Sequence, residues 1–278
     1  MRQRPRSQCT LHGMYGADLS RGPLDLTALR DVAAIELHAV DVEPDALAAA
    51  LVALRDVRGL KTLRLRSRVR ALPPALTELR GLQQLELIDA ELPGLPTSIA
   101  ELTRLRSLRL ELFHLASLPR SFSGLTRLRE LYIDSHHLSR LPDNLRALQE
   151  LRSLTLLLRH VYVHDWERPA HFRPRFEQSL EELFALLADL PALTSLTLGE
   201  PDNAWHPDRV FDRLPGEFAG LHALEELTLR SIVGRLAMPP GLVMPSVRRI
   251  DDSRYDIAAT EAELRAMFPN AILPDDAP

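Results

Sequence analysis

Residues 95–110 read Leu95-Pro96-Thr97-Ser98-Ile99-Ala100-Glu101-Leu102-Thr103-Arg104-Leu105-Arg106-Ser107-Leu108-Arg109-Leu110. The apolar positions are Leu95, Ile99, Leu102, Leu105, Leu108 and Leu110. The following unit repeats them in register as Leu118, Phe122, Leu125, Leu128, Leu131 and Ile133, each 23 residues later. The dipeptide Leu-Pro opens these units at Leu72, Leu95, Leu118 and Leu141, again at intervals of 23 residues. A fixed period of this length marks a solenoid, because one such unit cannot bury its apolar face until neighbours stack on it. Stacked units expose a long continuous surface, so recognition is expected along that surface rather than in a deep pocket.

Within each unit the Leu-x-Leu pair is the expected strand. The pairs are Ile35/Leu37, Leu63/Leu65, Leu85/Leu87, Leu108/Leu110, Leu131/Ile133, Leu154/Leu156, Leu196/Leu198 and Leu227/Leu229. Strand alternation points both leucines inward and the residue between them to the open face. Proline after the first leucine has no N–H for a ladder, so it starts the return on the convex side. The next apolar residues, at spacings of three to four, suit a short helix or 3-10 turn.

The pattern LPxxLxxLxxLxxLxL, carried for instance by Leu72, Pro73, Leu76, Leu79, Leu82, Leu85 and Leu87, resembles the leucine-rich repeat family over residues 24–252. That resemblance implies an α/β solenoid: a right-handed horseshoe with a parallel concave sheet and short helical or 3-10 convex returns. It also implies concave-face protein recognition. The Arg-rich LPxx repeats look like those of GC-rich bacteria and of the leucine-rich portions of type III secreted effectors. One departure stands out. The family's turn asparagine, three residues after the second strand leucine, is replaced here by Ala90, Phe113, His136, Arg159 and Ile232. The turns must therefore be satisfied by water or by backbone pairing.

The chain ends are expected to cap the solenoid. Residues 1–23 read as a flexible arm, and residues 24–278 as a single domain. Residues 44–57 form an amphipathic helix at the N-terminal end. Thr260-Glu261-Ala262-Glu263 is a capping box that opens a helix over residues 260–268, before Pro269.

The period breaks twice, after Leu156 and after Leu198. The extra residues fall at about 159–175 and 199–213, and they contain both tryptophans, Trp166 and Trp205. Tryptophan dominates interface hot spots, which makes these rim insertions candidate binding loops. The alternative is that their aromatics cover a local widening of the core. Residues 176–190 follow as a helix, with Phe176, Leu180, Leu183, Leu187 and Leu190 on one face.

Outward residues give the candidate sites. The between-leucine row runs Glu36, Arg64, Glu86, Arg109, Tyr132, Thr155, Thr197, Thr228. The next row runs His38, Arg66, Ile88, Glu111, Asp134, Leu157, Gly199, Arg230. The mixed-charge centre of this surface, Arg109, Glu111, Tyr132 and Asp134, is read as partner-binding, with Trp166 and Trp205 beside it; a plain exposed salt ladder is the competing reading. Glu91, His114, His137 and His160 form a rim column at the same repeat position. Imidazoles and a carboxylate at such spacing suit a transition metal, but exposed turn histidines copied by repeat duplication are the favoured reading.

Composition narrows the function class. The chain has 278 residues, a net charge of −4 and a pI near 6.2, which gives no reason to expect a nucleic-acid partner. Cys9 is the single cysteine, so no disulfide framework is expected. Neither a secretory signal nor a membrane span is legible. The expected location is the cytoplasm, or a host cell reached without a cleaved signal peptide. Lys61 is the only lysine. Gly-rich phosphate loops, G-x-S-x-G, H-E-x-x-H and Cys-x-x-Cys are all missing from the sequence. The reading is a non-enzymatic protein-interaction module without a cofactor, with a protein partner for which a host protein is one candidate. Two alternatives stay open: the substrate-recognition region of a larger bacterial E3 ubiquitin ligase effector, and a metal-binding histidine rim.

Overall fold

The computed structural model describes residues 8–9, 14–24, 29, 32–158, 176–199, 213–230, 235–251, 256–257 and 260–273. The strands, in chain order, are β1 (Gln8–Cys9), β2 (Tyr15–Asp18), β3 (Ala34–Ala39), β4 (Thr62–Ser67), β5 (Gln84–Ile88) and β6 (Ser107–Glu111). They continue as β7 (Glu130–Ser135), β8 (Ser153–Leu158), β9 (Ser195–Gly199), β10 (Glu226–Arg230), β11 (Arg235–Leu236), β12 (Arg249–Asp251) and β13 (Asp256–Ile257). Eleven of them form one open sheet in the order β1-β2-β3-β4-β5-β6-β7-β8-β9-β10-β12. Pairing is parallel throughout except at β1–β2, which is antiparallel. β11 and β13 pair separately.

This is the solenoid that the repeat period predicts. The strand leucines of each Leu-x-Leu pair are buried at 2% exposure or less, and so are the return residues Ile99, Phe122, Leu145 and Phe218. Each Leu-Pro does what proline chemistry requires. Pro96, Pro119 and Pro142 hold extended conformations (φ −66 to −73°) and each caps a 3-10 turn: Thr97–Glu101, Arg120–Gly124 and Asp143–Ala147. The proline carbonyl then accepts from the buried return residue, as in Phe122 N–H to Pro119 O at 2.9 Å. Having no N–H to offer, proline leaves the sheet and retains only this acceptor role.

Repeats are zipped at the start of each strand from β4 to β10 and at β12. One carbonyl accepts two consecutive amides of the next unit: Arg106 O takes Arg129 and Glu130, and Arg129 O takes Arg152 and Ser153. The same fork survives the longest period break, since Arg152 O accepts Thr194 and Ser195 at 2.9 Å each. Strand register therefore passes across the insertion unchanged, with Leu154 opposite Leu196 and Leu156 opposite Leu198.

The end segments depart from the sequence reading. Residues 1–23 are not simply an arm: Tyr15–Asp18 pairs in parallel with β3, and Leu19 is buried against the core. Alternation of Tyr15 and Ala17, which pack on the core, with Gly16 and Asp18 supplies one more strand without a leucine pair. The N-terminal helix α1 (Pro44–Leu54) is shorter than residues 44–57 because Asp56 and Val57 switch to three-residue hydrogen bonds onto Ala53 and Leu54. Helix α2 (Leu180–Ala188) begins only at its Ser179 cap, whose hydroxyl accepts the Glu182 amide. The preceding residues do other work: Glu177 N–H donates to Ser139 O at 2.7 Å, and Gln178 Oε1 accepts Leu141 N–H at 3.0 Å. At the C-terminal end, α3 (Glu261–Met267) carries the complete capping box of Thr260 and Glu263. Beyond it, Ile272 adds a last bridge beside Arg249.

The missing turn asparagines are replaced by two devices. Adjacent turns pair backbone to backbone, through Glu91 N–H to Val69 O (3.0 Å), Ala116 N–H to Pro93 O (2.9 Å), His136 N–H to Phe113 O (3.2 Å) and Ser139 N–H to Ala116 O (3.1 Å). In the β7 unit, buried Ser135 adds a side chain: its hydroxyl donates to Leu115 O at 2.8 Å and accepts from His137 N–H at 3.1 Å.

Candidate functional site

Parallel pairing in register turns the two outward rows into true rows across the sheet. Glu36, Arg64, Glu86, Arg109, Tyr132, Thr155, Thr197 and Thr228 stand opposite one another in succession. Asp18, His38, Arg66, Ile88, Glu111, Asp134, Leu157, Gly199 and Arg230 do the same one step along. Neighbouring strands lie about 4.8 Å apart, close enough for side chains within a row to meet.

The first half of the face is charged and internally paired. Arg64 makes a two-pronged contact with Glu86, Nε to Oε2 at 2.7 Å and Nη2 to Oε1 at 3.2 Å, and lies 3.9 Å from Glu36. The hydrogen bond it donates to Glu86 is the main reason its guanidinium is held more firmly protonated than a free arginine; partial burial opposes this, and the charges of Glu86, Glu36 and Glu111 add to it. Arg66 pairs with Asp89, Arg68 with Asp41 and Arg70 with Glu91. The run Arg64, Arg66, Arg68, Arg70 is thus matched residue for residue by carboxylates, and offers no unbalanced basic stripe.

The predicted central four residues come together on β6 and β7. The Arg109 guanidinium lies 3.7 Å from the Tyr132 ring centroid, in cation–π geometry. Its Nε donates to Glu111 Oε1 at 2.6 Å. Glu111 and Asp134 are register partners beside it. The two rows differ from expectation at Ile88 and Leu157, which were read as outward and are buried at 6% and 5% exposure, apart from the leucine core. They put apolar spots beneath a polar face.

Just beyond the same two strands sits a cluster that the sequence reading assigned differently. Phe113 stacks on His136 (centroids 4.0 Å, 28°) and meets His114 edge-on at 4.8 Å; His114 and His137 are 5.0 Å apart at 67°. Phe113 keeps 45% exposure, an unusual position for a phenylalanine. In sequence, Phe113 and His136 stand out only as substitutes for the turn asparagine. Their signal was aromatic character at one repeat position in consecutive units. Of the rim column, His114 and His137 are brought together. Glu91 is not, since its carboxylate is engaged by Arg70 at 3.0 Å. His160, Trp166, Trp205 and nearly all of the rim insertions lie outside the described residues. Among the described residues no group of three metal-binding side chains occurs, and no helix is long and apolar enough to cross a membrane.

Comparison with solved structures returns the same architecture. The leucine-rich repeat domain of the type III effector XopL matches at 21% identity and TM-score 0.50, covering 95% of this chain and 76% of that one. The Listeria monocytogenes protein InlP matches at 16% identity and TM-score 0.51, over 90% and 63% of the two chains. The TLR13–ssRNA13 complex gives 17% identity and TM-score 0.58, with 93% of this chain on 35% of that one. At these identities the likeness is one of fold. No curated protein matches the chain significantly in sequence. A family model described as a leucine-rich repeat region matches residues 45–186, about half of the chain, and with the repeat register and parallel sheet it establishes that this chain belongs to the leucine-rich repeat family.

Proposed function

We propose that this chain is a non-enzymatic protein-interaction module that binds its partner through the open face at β6 and β7. The observation that carries the reading is the Arg109–Tyr132 stack, hydrogen-bonded to Glu111, with the Phe113–His136 stack just beyond the same two strands. Arginine and tyrosine anchors in a rigid sheet are what interface hot spots are made of. Their geometry is set by neighbouring strands, so little ordering entropy is lost on binding. The proposal includes Trp166 and Trp205, which belong to the insertions that follow β8 and β9 in sequence.

The finer reading is a bacterial effector that acts on a host protein. Its support is the repeat type, with arginine in place of lysine at all but one position; the type III effector XopL carries the same fold. The module reading is tested by quantitative capture from host and bacterial lysates. Specific partners retained by wild type are expected to be lost by Arg109→Ala/Tyr132→Ala and weakened by Trp166→Ala/Trp205→Ala. If both variants keep every specific partner, the surface is wrong.

A further inference from the structure

The units share a second edge where the strands begin. Ahead of β6 it reads Thr103-Arg104-Leu105-Arg106, ahead of β7 Thr126-Arg127-Leu128-Arg129, and ahead of β8 Gln149-Glu150-Leu151-Arg152. Backbone bonds tie Arg106, Arg129 and Arg152 into one file: Arg129 N–H donates to Arg106 O and Arg152 N–H to Arg129 O, both at 2.8 Å. Arg104 and Arg127 hold one equivalent position in their units and make a second, shorter file. Arg104, Arg106, Arg127 and Arg152 are exposed, and among the described residues their side chains make no ion pair or hydrogen bond. Arg129 is held by Glu150, with Nε and Nη2 each 3.2 Å from Oε2. Residues 103–107, 126–130 and 149–153 carry five arginines against two carboxylates, Glu130 and Glu150. Earlier units brace this edge from within, Arg55 pairing with Glu78 and Arg80 with Glu101, both at 2.8 Å. The position held by Glu78 and Glu101 becomes Gly124 and Ala147 in the next two units, so that bracing is not repeated beside the arginine files.

We propose that this edge is a second interaction surface, which seats an acidic stretch of polypeptide across the units of β6, β7 and β8; it is separate from the open-face reading above. Like charges on neighbouring strands, about 4.8 Å apart, repel one another. A row of aspartate or glutamate side chains removes that repulsion, and each guanidinium can take a carboxylate through two N–H groups at once. Glu150 on Arg129 already shows, within the chain, a carboxylate taken by this file through two N–H groups. Thr103 and Thr126, exposed at one equivalent position of two units, add hydroxyl donors beside the arginines. Nucleic acid fits the strip less well. The three stretches contain no aromatic side chain for a base to stack on, and the whole chain carries a net charge of −4. An anionic lipid surface fits less well too. The apolar residues of these stretches, Leu105, Leu128 and Leu151, are fully buried, so none stands beside the arginines to enter a bilayer.

The probes are fluorescein-labelled octapeptides alternating glycine with glutamate, arginine or serine, and an octathymidylate with the same label, followed by anisotropy at low salt on the whole chain. Phosphatidylserine vesicles are tested by co-sedimentation. The edge variant is Arg106→Gln/Arg127→Gln. Its control is Arg68→Gln/Arg140→Gln, which changes net charge equally at arginines that face Asp41 and Asp143. The glutamate peptide is expected to bind in preference to the other two. Its binding should weaken on the order of tenfold in the edge variant and less than about twofold in the control, since close pairs dominate screened ones. Tyr132→Ala should leave it unchanged. Equal losses in edge variant and control mean diffuse attraction to net charge and overturn the proposal. A loss in Tyr132→Ala moves the peptide to the open face and overturns it as well, as does binding of the glutamate peptide no tighter than that of the serine peptide. Tighter binding of octathymidylate or of the vesicles, lost in the edge variant, overturns the acidic polypeptide and assigns the arginines to that polyanion. The open-face reading stands or falls separately, on partner capture.

Discussion

Ser67 and Ser135 occupy the same place in their repeats, two residues after the second strand leucine position (Leu65 and Ile133), and both are buried to 1% exposure or less. Their surroundings differ. Ser135 Oγ donates to Leu115 O at 2.8 Å and accepts His137 N–H at 3.1 Å, whereas Ser67 Oγ has no partner among the described residues. Ser135→Ala strips a buried carbonyl of its donor and an amide of its acceptor. A buried polar group left unpaired costs about 1–3 kcal/mol. His137 is half-buried and its amide can recover a water, so the expected loss is about 1–2 kcal/mol rather than twice the full penalty. Ser67→Ala removes a hydroxyl already dehydrated without return, and is expected to be neutral or to stabilise by up to about 1 kcal/mol. Urea unfolding reads both, with the midpoint compared only where the m-value is unchanged, because repeat arrays can unfold in more than one step. Thermal midpoints should differ by about 2–4 °C per kcal/mol for a chain of this size. Amide exchange at His137 is expected to quicken in Ser135→Ala alone. If the two variants share one midpoint, or Ser67→Ala is the more damaging, the hydroxyl is not what closes the β7 turn.

Other consequences can be measured directly. Phe122→Ala empties a fully buried return position and is expected to cost about 3–5 kcal/mol, read as a lowered denaturation midpoint. At Gly220 a Cβ would stand 2.9 Å from the Ala188 Cβ, where the turn Gly216–Gly220 meets the end of α2; Gly220→Ala should destabilise by about 1–3 kcal/mol, and Ala188→Gly should restore part of it in a double-mutant cycle. Glu263 is held below its ordinary value of 4.5, first by the Thr260 amide and then by the Thr260 hydroxyl. A depressed folded value means that its contribution is intact above the ordinary glutamate range and is lost as pH falls through the folded value. Amide protection in α3 should therefore be flat from neutral pH down to that range and fall below it, and Glu263→Gln should abolish the step.

Sequence alone determined the period, and with it the fold. Leucines at fixed intervals can be buried together only by stacking units, and Leu-Pro dictates where each strand gives way to its return. Register followed as well, because a slip of one residue would turn Arg109, Glu111, Tyr132 and Asp134 inward. The Thr260–Glu263 box was legible because a cap is a local hydrogen-bond pattern over four residues. Tertiary structure decided what depends on distance rather than order. The β2 strand lacked a leucine pair and became visible only by its pairing with β3. Ile88 and Leu157 shared a row with charged residues, yet their burial depends on neighbours from other repeats. The column Glu91–His114–His137 had one sequence spacing, but Arg70 claims Glu91 while the two imidazoles meet, since rotamer and local charge choose the partner. Phe113 and His136 read in sequence as two substitutions of the turn asparagine; only the parallel stacking of repeats about 4.8 Å apart makes them one stacked surface.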